Sequence, residues 1–180
     1  MSLINAEEVE AIAARTYNLL NGVVNPNSIS ENIYQDDDLD AAASRILYKD
    51  GTQKVFINIQ RMLSFIDSYK PSVKTREMEN AIVVHSIIHE LMHCNQQNIN
   101  NLAYETFEDY NAWIEGEANA RALRFMANYR DWIENNIGFK LDLEPLLQYE
   151  DDNGLFKIMD NVDNVKNPIC ITSNGPMQVF

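Results

Sequence analysis

The stretch that decides the fold reads Val84-His85-Ser86-Ile87-Ile88-His89-Glu90-Leu91-Met92-His93. In an α-helix, residues four apart differ by about 40° around the axis and lie one turn apart along it. The imidazoles of His89 and His93 therefore point in nearly the same direction. Seven apolar residues fall on the opposite arc of the same helix, which predicts one core side and one side for chemistry. They are Ala81, Val83, Val84, Ile87, Ile88, Leu91 and Met92.

The order His-Glu-x-x-His within this stretch is typical of metal sites built on a helix. Two imidazoles at this spacing can bind one tetrahedral ion, and zinc is the metal that takes such ligands most often. Glu90 lies next around the helix, where it reaches the open coordination position rather than the ion. We therefore predict one Zn²⁺ per chain bound by His89 and His93, with Glu90 as general base. The alternative is a helix whose histidines happen to lie on a solvated face.

A third ligand is sought on a later helix, which contains Glu115 and Glu117. Helical phase separates them, because Glu115 shares an apolar stripe with Ala118, Ala122, Met126, Tyr129 and Ile133. We expect Glu115 on the buried face, where a lone carboxylate needs a cation. The alternative is a partly exposed acid favoured by the helix dipole. We expect Glu117 on the solvated side, beside Arg121, Arg124 and Asn128, as a surface ion pair with Arg121.

Two further polar residues are candidates for supporting roles. Asn119 follows Glu115 by one turn and can hydrogen-bond a ligand imidazole, although an ordinary polar residue on a helix flank explains it equally well. His85 precedes His89 by one turn and is expected beside the cleft. A metal site formed by His85 and His89 is a minor alternative.

All three histidines of the chain lie on this one helix. No distant histidine is left to stabilise an oxyanion, so a tyrosine, an arginine or backbone N–H groups must do so. The tyrosines considered are Tyr48, Tyr104 and Tyr110, each of which is also a plausible packing residue.

The rest of the chain predicts an α+β fold with a small antiparallel sheet packed on long helices. Asn5 caps a first helix over 6–21, and two strands at 44–48 and 54–59 flank the turn at Asp50-Gly51. A short helix at 60–69 precedes long helices at 75–97 and 105–135, the second ending near Gly138. We expect a single domain over 1–180, with a core at about 5–138 and a C-terminal extension at about 139–180. That extension should hold one or two short helices and a tail from Pro168.

Charge and composition limit the partners. The 180 residues carry a net charge of −13, which disfavours nucleic acid and anionic membranes because no basic surplus can neutralise phosphates. The first residues lack the basic and apolar regions typical of a signal peptide, so we expect none, and no apolar run is long enough to span a bilayer. We therefore expect a cytoplasmic protein, with Cys94 and Cys170 as thiols, that acts on a protein or peptide. Oligomeric state is left open.

The two helical motifs together resemble the gluzincin pattern, His89-Glu90-Leu91-Met92-His93 followed by Glu115-x-x-Ala118-Asn119. Glu115-Gly116-Glu117-Ala118-Asn119 is similar to the ImmA/IrrE-type metallopeptidases, as is Phe56-Ile57-Asn58-Ile59. The resemblance covers about residues 43–130, although Met92 stands where such proteins usually have glycine. It implies a zincin fold with His89, His93 and Glu115 as ligands and Glu90 as base. It also implies a substrate strand laid along the sheet edge.

The expected function is therefore a zinc endopeptidase that cleaves an intracellular protein. A second reading is a zincin-fold binding or scaffold protein that keeps the metal for stability and cleaves nothing. A third is a hydrolase of a non-peptide amide. Glu90 favours an enzyme over the scaffold, since a structural site has no need of a general base.

Overall fold

A computed structural model describes residues 1–24, 29–71, 73–94, 96, 107–152, 169–172 and 175–178. Its α+β class agrees with the prediction. The elements in chain order are α1 (Ala6–Val24), β1 (Tyr34–Gln35), β2 (Ala43–Leu47), β3 (Gln53–Ile57), α2 (Ile59–Ser68), α3 (Arg76–Cys94), α4 (Phe107–Ile137), α5 (Glu144–Asp152), β4 (Ile169–Thr172) and β5 (Gly175–Gln178).

The first sheet has the order β1-β3-β2 and is mixed rather than antiparallel. The predicted hairpin is confirmed, because β2 and β3 pair in antiparallel fashion with Ala43 opposite Ile57. Gly51 has a φ of 88° in its turn, a left-handed conformation that glycine adopts without a steric cost. The prediction of a wholly antiparallel sheet was wrong, since β1 pairs parallel to β3. A two-residue strand is too short to show an alternating pattern in the sequence.

The first helix begins where the sequence predicted. Oδ1 of Asn5 accepts a hydrogen bond from the Glu8 N–H at 2.9 Å, and Glu8 Oε1 accepts from the Asn5 N–H at 3.4 Å. This reciprocal capping satisfies two N–H groups at the helix start. The helix continues to Val24, past the end predicted at Asn21-Gly22. The loop predicted at 25–27 lies outside the described residues.

The helix α3 runs through the centre of the hydrophobic core. All seven residues of its predicted apolar arc are buried, with exposed fractions of 1% or less. The opposite side, predicted to be the side for chemistry, is largely covered as well, which does not agree with the alternative of histidines on a solvated face. His85 and His93 are only 5% and 7% exposed. The cause is α4, which packs against this side of α3.

The helix α4 ends at Ile137, next to Gly138 as predicted, and Gly138 has a φ of 78°. The core continues beyond the predicted limit of 138, since Leu141, Leu143 and Leu146 belong to the same buried cluster. The C-terminal part contains the predicted short helix, α5, and a hairpin of β4 and β5 that the sequence analysis missed. Within the described residues, no helix has the length and apolarity needed to cross a membrane.

Candidate metal centre

Three side chains from two helices converge on one point. His89 Nε2 and His93 Nε2 on α3 lie 2.9 Å apart. Glu115 on α4 brings Oε2 to 3.0 Å from His89 Nε2 and Oε1 to 3.1 Å from His93 Nε2. Neighbouring ligands of a tetrahedral zinc ion with bonds of about 2.0–2.1 Å are separated by roughly 3.3 Å. The three donor groups therefore have the spacing that a bound ion of this size requires.

The electrostatics of this cluster favour a cation. When the imidazoles are protonated, hydrogen bonds from His89 and then from His93 hold the pKa of the Glu115 carboxyl well below its usual range. Burial lowers the pKa of His93, but its hydrogen bond with Glu115 and the charge of Glu90 outweigh burial and raise that pKa above the ordinary value. Protons and divalent metals compete for the same nitrogen lone pairs. The cluster thus attracts positive charge from either source.

The hydrogen bonds of Gln96 determine which nitrogen of His93 faces the cluster. The Gln96 Nε2 group donates to the Ile114 carbonyl at 3.0 Å and to the Glu117 carboxylate. Both partners are acceptors, so Gln96 Oε1 must be the atom that lies 2.6 Å from His93 Nδ1. His93 therefore donates through Nδ1–H, and in the neutral ring Nε2 carries the lone pair. That lone pair points at His89 and Glu115, as metal binding requires.

Glu115 and Glu117 reverse the burial that helical phase predicted. Glu115 does join His89 and His93, yet its side chain is 60% exposed. Glu117, predicted on the solvated side, is fully buried. Arg121 pairs with it as predicted, but this pair is internal rather than on the surface, with Arg121 Nη1 3.3 Å from Glu117 Oε1. The helix α4 is buried on more than one side. Its apolar stripe therefore marks only one of its buried faces.

Asn119 and His85 contact each other rather than the cluster. His85 Nε2 lies 3.4 Å from the Asn119 backbone oxygen, so the contact that the structure shows uses the main chain of Asn119 and not its amide. The ring of His85 is 6.3 Å from that of His89, whereas the rings of His89 and His93 are 4.5 Å apart. Burial, followed by the nearby His89, lowers the pKa of His85 to about 4. This geometry does not favour the alternative pair of His85 and His89.

An open cleft of about 660 Å³ lies beside the cluster. Glu90 lines it with a side chain that is 12% exposed, and Glu90 Oε1 is 3.9 Å from His89 Nε2. The opposite wall comes from the start of β2 and the end of α2. Its residues are Ala42, Ala43, Phe65, Ser68, Tyr69 and Lys70.

Asn58 fixes the helix that forms much of this wall. Its Oδ1 caps α2 by accepting from the Arg61 N–H at 3.1 Å, and its Nδ2 donates to the carbonyls of Asp37 and Leu39. The residue lies between β3 and α2 and is 3% exposed. Its buried side-chain amide therefore joins the segment at 37–39 to the start of α2, directly after β3.

The sequence analysis missed Tyr69 and Gln96. Tyr69 lines the cleft, whereas Tyr48 lies with its ring 5.3 Å from Lys54 Nζ and does not line it. Tyr104 and the side chain of Tyr110 lie outside the described part of the chain. Gln96 carried a usable signal, since it follows His93 by three positions, where a side chain just past a helix end can turn back to the last turn.

Within the described residues, β2 is the last strand of its sheet, and its start borders the cleft. Asn58 donates to the Ala42 carbonyl at 3.0 Å and Tyr48 donates to that of Thr52 at 2.8 Å. Hydrogen bonding alternates along an antiparallel ladder, so the N–H and C=O groups of Ala43, Arg45 and Leu47 point away from β3. Arg45 also ties this strand to α3, because its Nη2 donates to the His93 carbonyl at 3.3 Å.

The side chain of Cys94 is buried at the end of α3. The side chain of Cys170 lies outside the described part of the chain. Comparisons with models of protein families, with curated proteins and with solved structures gave no match.

Proposed function

We propose that this chain is a zinc-dependent metallopeptidase of the zincin type, acting on a protein substrate in the cytoplasm. The observation that carries the proposal is the convergence of His89, His93 and Glu115 at about 3 Å from one another, beside an open cleft that Glu90 lines. The donor set of two imidazoles and one carboxylate is that of catalytic zinc sites, which keep one position open.

The residues around the cluster fit a zinc ion. The Nε2 lone pair of His93 is directed into the cluster by Gln96. Glu115, whose pKa is lowered from an ordinary value that is already acidic, is a carboxylate across the neutral pH range. His89 Nδ1 is buried and makes no hydrogen bond within the described residues. Its ring is therefore held by packing and by its contacts in the cluster rather than by an acceptor at Nδ1.

Each residue then has a defined role in amide hydrolysis. When bound at this cluster, zinc lowers the pKa of a water molecule and polarises the substrate carbonyl. Glu90 takes the proton of the attacking water and transfers it to the leaving nitrogen. Its position in the cleft wall, close to His89 but not among the three converging donors, suits a base rather than a ligand. Tyr69 and Lys70 also line the cleft and carry hydrogen-bond donors suited to an oxyanion; Lys70 Nζ would have to leave the Asp67 carbonyl, to which it donates at 3.0 Å.

The position of β2 at the edge of its sheet supports a peptide as the substrate. Backbone groups of Ala43 and Arg45 point away from β3, and Ala43 lines the cleft. An extended peptide can pair with these groups as an additional strand. Such pairing supplies main-chain hydrogen bonds in a fixed register and places a peptide bond beside Glu90. A non-peptide amide has no use for this edge.

The scaffold reading predicts the same metal but no cleavage. Glu90→Gln separates the two, because the amide retains the shape of Glu90 but cannot accept the proton. We expect zinc content and melting temperature to stay near those of the wild type while cleavage of a peptide library falls by about 10²-fold or more. Glu77→Gln, an exposed substitution on the same helix, is the matched control.

Two outcomes would contradict this proposal. A Glu90→Gln variant that cleaves as fast as the wild type would remove Glu90 from the mechanism. A zinc-loaded wild type that cleaves no member of an extended-peptide library would favour the scaffold.

A further inference from the structure

Glu117 is a buried carboxylate that the proposed reaction does not use. It is 0% exposed, and a carboxylate in such a place is strongly destabilising unless it is paired and hydrogen-bonded. Arg121 supplies the charge, with Nη1 3.3 Å from Glu117 Oε1. The other oxygen, Oε2, accepts from Gln96 Nε2. One oxygen of Glu117 is thus given to the ion pair and the other to Gln96.

Gln96 connects this ion pair to the candidate ligand His93 and makes four hydrogen bonds within the described residues. Its amide accepts from His93 Nδ1 at 2.6 Å and donates to Glu117 and to the Ile114 carbonyl. Its backbone N–H also donates to the His93 carbonyl at 3.1 Å. The side chain is 5% exposed, so water competes little for these bonds. The side-chain hydrogen bonds run in one direction: His93 donates to Gln96, and Gln96 donates to Glu117.

We propose that Gln96 and Glu117 are positioning residues that hold the ring of His93 with Nε2 unprotonated and aimed at His89 and Glu115. Gln96 does so directly, by accepting from Nδ1–H. Glu117 does so through Gln96, by keeping the donor end of the amide turned away from His93. The inference rests on the metal site of the proposed function, but not on peptidase activity.

The consequence is asymmetric support of the two histidines. Within the described residues, His89 Nδ1 has no acceptor, whereas His93 Nδ1 has Gln96 backed by a buried anion. An acceptor on the distal nitrogen fixes the tautomer of a ligand imidazole and makes it a stronger donor to the metal. Loss of such a partner usually weakens metal binding by about 10- to 100-fold.

The test is Gln96→Met, which keeps an unbranched side chain of similar length and removes both amide functions. Zinc affinity is measured by competition with a chromophoric chelator, for wild type, Gln96→Met and the exposed control Gln60→Met. A fourth protein, Ile12→Val, is destabilised in the core of α1 away from the cluster and controls for lost stability. We expect a 10- to 100-fold weaker zinc affinity for Gln96→Met and wild-type affinity for both controls.

A second readout follows the tautomer itself. The chain has only three histidines, so their ring nitrogens can be assigned by two-bond ¹H–¹⁵N correlation. In the zinc-loaded wild type, we expect one ring with a slowly exchanging Nδ1–H, and we expect Gln96→Met to lose that protection. Glu117→Gln keeps the side-chain volume, but its new NH₂ group must face a donor of either Gln96 or Arg121. We expect it to weaken zinc binding less than Gln96→Met does.

The outcomes separate the two proposals. A wild type that binds zinc tightly, together with a Gln96→Met variant that binds it equally well, overturns the positioning role and leaves the proposed function intact. An equal loss of affinity in Ile12→Val also overturns it, because general destabilisation then explains the effect. A wild type that binds no zinc overturns both. If Gln96→Met does not fold, Glu117→Gln decides, and unchanged affinity and Nδ1–H protection in that variant count against the role.

Discussion

Glu115 and Glu117 lie two positions apart on α4, and the cluster-forming Glu115 is 60% exposed whereas Glu117 is completely buried. This relationship separates metal binding from folding. Glu115 contacts two imidazoles at the rim of an open cleft, and Glu117 forms part of the interior through Gln96 and Arg121. Substitution of Glu115 should therefore affect mainly zinc binding, and substitution of Glu117 mainly the stability of the metal-free protein.

For Glu115→Ala, we expect lost zinc binding with little change in the stability of the metal-free protein, less than about 1 kcal/mol at pH 8, because the side chain is largely exposed. Zinc should raise the melting temperature of the wild type but not of the variant, since a ligand stabilises only a state that binds it. Thermal unfolding with and without zinc measures both quantities. A variant that is still stabilised by zinc would show that Glu115 is not a ligand.

For Glu117→Ala, we expect a metal-free protein that is destabilised by about 3 kcal/mol or more, because Arg121 is left as a buried charge without this partner. Urea unfolding in the presence of a chelator measures the difference from the wild type. Adding Arg121→Met to Glu117→Ala removes the buried guanidinium charge and should recover part of the lost free energy of unfolding. A single variant as stable as the wild type would show that the buried pair contributes nothing.

The sequence predicted α3 and the convergence of His89 and His93 well, because their four-residue spacing is a property of the helix itself. It also selected Glu115 correctly as the neighbour of both histidines. The reasoning behind that choice was wrong, since it assumed one buried face on α4. A helix covered on two sides hides polar residues such as Glu117 that periodicity assigns to solvent. The buried side of such a helix depends on neighbours that a single helical wheel does not contain.

Contacts between distant segments could not be predicted from the sequence for the same reason. The strand β1 has two residues and is defined by its parallel partner β3 rather than by its own pattern. The placement of Tyr69 in the cleft depends on how α2 packs, and the role of Gln96 depends on Glu117, which is 21 positions later. Local propensity carries no information on such pairs.

The pKa of His85 predicts a pH dependence of stability. Burial lowers this pKa to about 4 from an ordinary value of 6.5, so the unfolded chain takes up a proton at a pH where the folded chain does not. The contribution of neutral His85 to the free energy of unfolding is therefore fully present above about pH 6.5. It is lost as the pH is lowered from about 6.5 to about 4. The loss is on the order of 3 kcal/mol. The raised pKa of His93 acts in the opposite direction.

A comparison of wild type with His85→Gln isolates this contribution. Urea unfolding is measured between pH 7.5 and pH 4.5 with a chelator present, and the difference between the two proteins should shrink as the pH falls. A constant difference would show that the histidine is not held neutral by burial.

Ala43→Pro tests the strand edge. Proline at the first residue of an edge strand removes one outward N–H and leaves the bonds to β3 in place. We expect kcat/KM for extended peptides to fall roughly fivefold to tenfold, the worth of one hydrogen bond, with zinc affinity unchanged. Undiminished cleavage would show that substrates do not pair with β2.

The stoichiometry of zinc binding tests the central claim most directly. Metal-free wild type is titrated with zinc in parallel with His89→Ala, His93→Ala and Glu115→Ala. We predict one tight site per chain in the wild type, with affinity weakened by orders of magnitude in all three variants. A wild type that takes up no zinc, or three variants that bind it as tightly as the wild type does, would contradict a metal centre formed by these residues.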